Sequence, residues 1–127
     1  MRRVVITGLG VFSSTGKNRK CFFENLLQGR SGVGPISQFD SSALSVRIAA
    51  EVPGYNPDDY FPAKRQDLLD KFAQFALIAA GEAMESSGLE VREEERCRFG
   101  VVIGSGISNS LAGYFPLISS GARRRYI

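Results

Sequence analysis

Histidine and tryptophan are both absent from the 127 residues of this chain, and cysteine occurs only twice, at Cys21 and Cys97. The absence of histidine removes the commonest general base and metal ligand, so no Ser-His or Cys-His catalytic pair exists within these residues. Two cysteines are too few for a disulfide framework, and they show no zinc or redox spacing. We therefore expect no metal, no cofactor and a reducing, cytoplasmic location, with Cys21 a packing or surface residue rather than a nucleophile.

Long apolar runs and strong charge are also missing. No run approaches the roughly 20 residues of a transmembrane helix, and residues 1–8 break their apolar run too soon for a signal peptide. The net charge of +3 is a mild excess, and it lacks the clustered basic face with interleaved aromatics that is typical of nucleic-acid binding. The sequence therefore predicts one globular domain over residues 1–127, with no second domain and neither a membrane nor a nucleic-acid partner.

The most apolar stretch covers residues 68–87 and predicts one long helix. Its apolar residues follow the three-and-four spacing of a helical face, and further apolar residues spread most of the way round. Gly88 suits the left-handed conformation that ends many helices. Such a helix needs cover on several sides. Stabilisation on the order of ten kcal/mol is expected from burying the side chains of Phe72, Phe75, Leu77, Ile78 and Met84.

A second helix is predicted over residues 20–28, followed by Gly29. Three stretches rich in β-branched residues, 3–8, 46–52 and 97–104, predict strands. Two of them are continuously apolar and end in glycine turns, which is typical of a parallel sheet in an α/β protein. The prolines of residues 53–62 prevent a strand there, and the aromatic residues of that segment are expected to lie over the core.

The turn Gly8-Leu9-Gly10 follows a predicted strand and so allows a dinucleotide-binding interpretation, in which backbone N–H groups hold a pyrophosphate. The fingerprint is incomplete, because its third glycine falls at Ser13 and Arg30 and Ser31 stand near the place of the expected acidic residue. A nucleotide-binding module is therefore a distant alternative. For the later turn Gly104-Ser105-Gly106 the simpler explanation is tight backbone packing.

Several motifs occur in an order and at a spacing that resemble one family, the β-ketoacyl-acyl carrier protein synthases of the type II elongating class. They cover essentially the whole chain. The motifs are Arg3-Val4-Val5-Ile6-Thr7-Gly8-Leu9-Gly10, Glu24-Asn25-Leu26-Leu27, Gly29-Arg30-Ser31-Gly32, Phe39-Asp40, Val46-Arg47-Ile48-Ala49, Asp70-Lys71-Phe72-Ala73-Gln74-Phe75-Ala76 and Gly100-Val101-Val102-Ile103-Gly104-Ser105-Gly106-Ile107.

The resemblance implies an α/β, thiolase-like fold with α-β-α-β-α layers, of which this chain is an incomplete first half. Members of the family condense an acyl group with malonyl-acyl carrier protein, using a cysteine nucleophile and two histidines. Neither Cys21 nor Cys97 matches the nucleophile's motif, so no catalytic role transfers to any residue here. The leading hypothesis is an N-terminal fragment that is inactive by itself. The alternative is a non-catalytic assembly subunit of a split synthase.

Two lesser roles follow from the resemblance. Ile107 corresponds to a position that lines the acyl-chain pocket. Lys64 corresponds to a basic position that contacts acyl carrier protein, and Arg65 is expected to add to it; ordinary solvated charges are the alternative for both. The implied partners are acyl carrier protein and either the remainder of the synthase or a second copy in a homodimer. Without such partners, the isolated chain is expected to self-associate.

Overall fold

The structure, a computed structural model, describes residues 3–105 of the chain. Three α-helices, α1 (Arg19–Leu27), α2 (Ala63–Gln66) and α3 (Lys71–Ser87), are joined by irregular segments. Two short strands, β1 (Gly34–Pro35) and β2 (Ile48–Ala49), lie between α1 and α2, and two 3-10 helices cover Pro57–Asp59 and Glu93–Arg98. The predicted position of Ile107 lies outside the described residues.

Helix α1 begins and ends at local signals. The side chain of Asn18 accepts a hydrogen bond from the Cys21 N–H at 2.8 Å, which caps the first turn. At the other end Gly29 is left-handed with φ of 64°, and two backbone bonds close a Schellman motif: Gly29 N–H to Leu26 C=O and Arg30 N–H to Asn25 C=O. The predicted helix over 20–28 is confirmed within one residue at each end.

Helix α3 is the predicted long helix, but it begins at Lys71 rather than at residue 68. The backbone of Asp70 is extended, with ψ of 154°, and its carbonyl accepts the first helical bond from Gln74. The preceding residues instead continue the turn of α2, since the Leu68 and Leu69 N–H groups bond back to Arg65 and Gln66. Residues 68–70 are therefore not helical, and the predicted helix starts three residues later than expected.

The end of α3 at Gly88 is confirmed, with φ of 62°. The Gly88 N–H donates to the Glu85 carbonyl, the first bond of a Schellman motif. The second bond is replaced by a relay, because the Ser87 hydroxyl accepts from the Leu89 N–H at 3.1 Å and donates to the Met84 carbonyl at 2.7 Å. A side chain thus joins the two groups that usually bond directly.

The predicted strands fare differently from the helices. Of residues 46–52 only Ile48 and Ala49 form a strand, which pairs with β1 in an antiparallel ladder of two residues rather than in a parallel sheet. Residues 3–8 form no strand, and Val4 is 94% exposed. The predicted strand over 97–104 does not form either, since Cys97 and Arg98 belong to a 3-10 helix and Val102 is 99% exposed. A strand requires a neighbour for its backbone hydrogen bonds, and within residues 3–105 these two segments have none.

The expected burial of the α3 side chains is also wrong for the described residues. Leu77 is 48% exposed and Met84 43% exposed, while Phe75 and Ile78 are half-buried. Among residues 3–95 and 97–105 no apolar side chain is fully buried, and the one buried residue is Gln74. The helix forms because its backbone bonds are internal, but the apolar surface around it is only partly covered.

Candidate functional site

The turn Gly8-Leu9-Gly10 lies directly against the backbone of α3. A Cβ on Gly10 would overlap the Ala79 carbonyl oxygen and lie 2.7 Å from the Ala83 nitrogen, and a Cβ on Gly8 would overlap the Ala83 carbonyl oxygen. Real Cβ contacts are not so short, so only glycine permits this approach. Close packing of chain against helix therefore accounts for both glycines without a nucleotide.

Two polar side chains of α3 bind the same segment. The Glu82 carboxylate accepts hydrogen bonds from the Val11 N–H and the Arg19 N–H, both at 2.8 Å. The Ser86 hydroxyl accepts from the Leu9 N–H at 3.2 Å and from the Arg19 guanidinium at 3.0 Å. The N–H groups that a pyrophosphate would need are thus bonded to the helix, which disfavours the dinucleotide-binding interpretation.

An aromatic cluster connects Phe12, which follows this segment in the chain, to Phe75 on α3. The rings of Phe12, Tyr55, Tyr60 and Phe75 lie with centroids 4.9–5.8 Å apart, mostly in edge-to-face geometry, which aromatic pairs favour. The aromatic residues of 53–62 were expected to lie over the core; Tyr55 and Tyr60 do pack on Phe12 and Phe75, but no fully buried apolar core lies beneath them among residues 3–105.

Gln74 is the buried polar group beneath this cluster, at 5% exposure. Its amide nitrogen donates to the Leu69 carbonyl at 2.9 Å, and its amide oxygen accepts from the Tyr55 hydroxyl. Burial raises the pKa of the Tyr55 hydroxyl above its usual range, and the neighbouring Tyr60 adds to the effect. Both ends of the buried amide are therefore satisfied by the protein.

We expect Tyr55→Phe to lower the free energy of unfolding by about 1–3 kcal/mol, because it leaves the buried Gln74 oxygen without a donor. Tyr60→Phe is the matched control, since the cluster keeps its ring and the hydroxyl has no partner among residues 3–105. Urea denaturation at low micromolar concentration measures both variants. Equal effects of the two substitutions would show that the Tyr55–Gln74 bond is not stabilising.

An open cleft of about 500 Å³ lies between the loop around β1, the segment after β2 and the first turns of α3. Its polar groups are bonded to one another. The Glu51 carboxylate accepts from the Ser37 hydroxyl at 2.6 Å and from the Ser37 N–H at 2.9 Å, and these bonds lower the pKa of Glu51. Lys71 donates to the Gln38 side chain at 2.6 Å. With its charged groups already partnered, the cleft offers no convergent set for a ligand.

The structure places the sequence-predicted residues apart from this cleft. Lys64 and Arg65 lie on α2, exposed, and the Gln66 side chain ties that helix to Asp58 and to the Phe61 carbonyl, each at 2.8 Å. Cys21 on α1 and Cys97 are exposed free thiols. Across residues 3–105 no group of His, Cys, Asp and Glu side chains is arranged to hold a metal ion.

Sequence reasoning missed the two α3 side chains that hold the N-terminal segment. Glu82 and Ser86 are four residues apart and therefore share a face of the helix, where they interrupt an otherwise apolar pattern. That interruption, together with the glycine pair at 8 and 10, was the available signal. A helix face that carries one acid and one hydroxyl among small residues indicates a polar contact with a neighbouring backbone.

None of the helices in residues 3–105 reaches the length and apolarity that a bilayer crossing requires.

Comparison with known proteins gives consistent matches. Residues 1–126 match the family described as "Beta-ketoacyl synthase, N-terminal domain". The 3-oxoacyl-[acyl-carrier-protein] synthase 2 of Coxiella burnetii is 44% identical over 126 residues, which cover 97% of this chain and 30% of that protein. The protein of the same name from Vibrio cholerae is 40% identical over the same shares.

A solved structure described as "The ishigamide ketosynthase/chain length factor" is similar as well. It aligns with a TM-score of 0.61 at 37% identity, over 70% of this chain and 22% of that chain. Over the aligned 70% of the chain the fold is therefore similar to the corresponding part of that ketosynthase. The chain spans about 30% of the length of the curated relatives that it matches.

Proposed function

Because the chain belongs to the β-ketoacyl synthase family, with its match to the N-terminal domain over residues 1–126, we propose that it is the N-terminal part of a 3-oxoacyl-acyl carrier protein synthase and is inactive in condensation by itself. The reaction of the parent enzyme is the decarboxylative condensation of an acyl group with malonyl-acyl carrier protein. Under this proposal the 127 residues are one incomplete domain of a thiolase-like, α-β-α-β-α layered fold located in the cytoplasm.

The observation that carries the proposal is the pair of uncovered apolar segments. Residues 4–6 and 101–103 each read Val-Val-Ile, and their side chains are 63–99% exposed. Strands that are apolar on both faces belong in the interior of a parallel sheet with helices on either side. The surface of α3 supports the same conclusion, because it is apolar and only partly covered.

Chemistry supports the absence of condensation. The step requires a thiolate nucleophile and groups that stabilise a developing oxyanion, and the family supplies these with a cysteine and two histidines. The chain has no histidine, and its two cysteines are exposed free thiols. Neither thiol therefore has the imidazole partner on which the family's reaction relies.

We expect no β-ketoacyl product when the purified chain is incubated with acyl- and malonyl-acyl carrier protein, as measured by mass spectrometry. The Vibrio cholerae synthase named above serves as the positive control under the same conditions. Turnover by the chain would overturn the proposed inactivity, and the variants Cys21→Ser and Cys97→Ser would then show which thiol is responsible.

Lys64 and Arg65 are proposed to contact acyl carrier protein. Both project from α2 and are exposed, and neither forms an ion pair within residues 3–105. An exposed basic pair steers an acidic partner mainly through the association rate, which makes the contact sensitive to salt.

The double variant Lys64→Glu/Arg65→Glu is expected to weaken binding of acyl carrier protein about three- to tenfold at low salt. Lys20→Glu/Arg30→Glu carries the same charge change at exposed positions around α1 and is the matched control. Fluorescence anisotropy with labelled carrier protein at two salt concentrations measures both. An equal loss in the two variants would mean that only net charge matters and that α2 has no specific role.

The same uncovered segments also favour a second candidate, a non-catalytic assembly subunit that completes its fold with a separately encoded remainder of the synthase. Co-expression with residues corresponding to the rest of the Coxiella burnetii relative is then expected to yield a co-eluting complex. Separate elution of two stable proteins would count against this second candidate and would leave the first unchanged.

A further inference from the structure

The charged side chains in the first turn of α1 have the unfavourable sign for a helix N-terminus. It begins with two basic residues, Arg19 and Lys20, and contains no acidic residue, although the positive end of a helix dipole favours anions. Asn18 satisfies only the N–H of Cys21. The N–H of Arg19 is one of the groups at a helix start that find no partner within the helix.

Helix α3 supplies the missing anion. Glu82 accepts the Arg19 N–H with one carboxylate oxygen, and the other oxygen accepts the Val11 N–H. One turn further along, Ser86 holds the Leu9 N–H and the Arg19 guanidinium. One face of α3 thus caps the start of α1 and also binds the extended chain that leads to it.

The attachment ends abruptly on its N-terminal side. Gly8 and Gly10 lie in backbone contact with α3, whereas residues 3–7 are exposed and no bond to their backbone is described. The part of the chain that contacts α3 therefore begins at residue 8, and the residues before it make no described backbone bond.

We propose that Glu82 and Ser86 form a latch that holds residues 9–19 on α3 independently of any sheet. In this arrangement Glu82 is a positioning residue: it acts as a tertiary N-cap for α1 and fixes the point at which residues 3–7 leave the helix surface. The segment remains docked while the adjoining apolar residues are unpaired. This inference goes beyond the proposed function and does not depend on it.

Amide hydrogen exchange in the full chain tests the latch without any substitution. At a concentration at which light scattering shows the monomer, the amides of Leu9, Val11 and Arg19 are expected to exchange about ten- to a hundredfold more slowly than those of Val4, Val5 and Ile6, after correction for intrinsic rates. Equal corrected rates in the two groups would overturn the proposal. The measurement needs no acyl carrier protein or partner, so its failure is distinguishable from failure of the proposed function.

Glu82→Ala is expected to raise the exchange of Val11 and Arg19 to the level of residues 4–6 while the interior of α3 stays protected. Glu85→Ala removes a carboxylate from the next exposed position of the same helix, which has no bond to another segment, and is expected to change neither. Unchanged exchange in Glu82→Ala would contradict the latch, and so would simultaneous loss of protection throughout α3, because Glu82 would then support the whole fold.

The latch consists of two sets of bonds, those of Ser86 and those of Glu82, and Ser86→Ala removes only the first set. Only the Leu9 amide is expected to exchange faster, since Val11 and Arg19 keep their bonds to the carboxylate. Release of Val11 along with Leu9 in this variant would contradict the latch, because it would show that the two sets of bonds are not independent.

Discussion

The variant Gly10→Ala is expected to lose the packing of the N-terminal segment on α3 and to be destabilised by about 3 kcal/mol or more, the upper range for overpacking. The new Cβ would overlap the carbonyl oxygen of Ala79 and lie 2.7 Å from the nitrogen of Ala83. Both atoms belong to the helix backbone, which cannot rotate away as a side chain can. The segment must therefore move, and the bonds from Leu9 and Val11 to the helix are lost with it.

Gly81→Ala is the matched control for this effect. Gly81 lies in the interior of α3, and a Cβ there meets no atom within 4 Å, so alanine is expected to stabilise the helix by about 1 kcal/mol. Thermal unfolding followed by circular dichroism compares the two variants with the parent chain. An unfolding midpoint for Gly10→Ala at or above that of the parent would show that the close contact with α3 does not contribute to stability.

Helices α1 and α3 were predictable because their end signals are local, whereas the short α2 was not predicted. Gly29 and Gly88 both adopt the left-handed conformation that their positions beyond the predicted helices indicated. The start of α3 was not predictable from periodicity, because Leu68 continues the apolar pattern and only the extended backbone of Asp70 separates it from the helix. A single residue's conformation, set by its surroundings, outweighed the pattern.

The strands illustrate the opposite case. The Val-Val-Ile triplets at 4–6 and 101–103 have the composition of buried strands, but composition cannot provide the neighbouring chain that a strand needs. The same limit applied to the functional residues. Lys64 and Arg65 are exposed on α2, as both the predicted carrier-protein contact and the alternative of solvated charges require, so that contact stays a prediction. The role of Glu82, in contrast, depends on contacts with residues more than 60 positions away in the chain.

The isolated chain is expected to self-associate, with a mass in light scattering well above its own 13.8 kDa. Unpaired segments that are apolar and exposed pair readily with other chains, because pairing satisfies their backbone groups and removes their side chains from water. Residues 4–6 and 101–103 have this character, and α3 adds Leu77 and Met84. The association is expected to increase with concentration and to persist at high salt, since it does not depend on charge.

The double variant Val5→Lys/Val102→Lys is expected to shift the chain towards the monomer, because lysine in both segments opposes edge-to-edge pairing. Ser42→Lys/Ser45→Lys adds the same charge at exposed polar positions and is expected to leave the association largely unchanged. Size-exclusion chromatography with light scattering distinguishes the two variants. Equal dissociation in both variants would show that net charge controls the association. A monomeric parent chain would mean that other parts of the same chain cover the exposed segments.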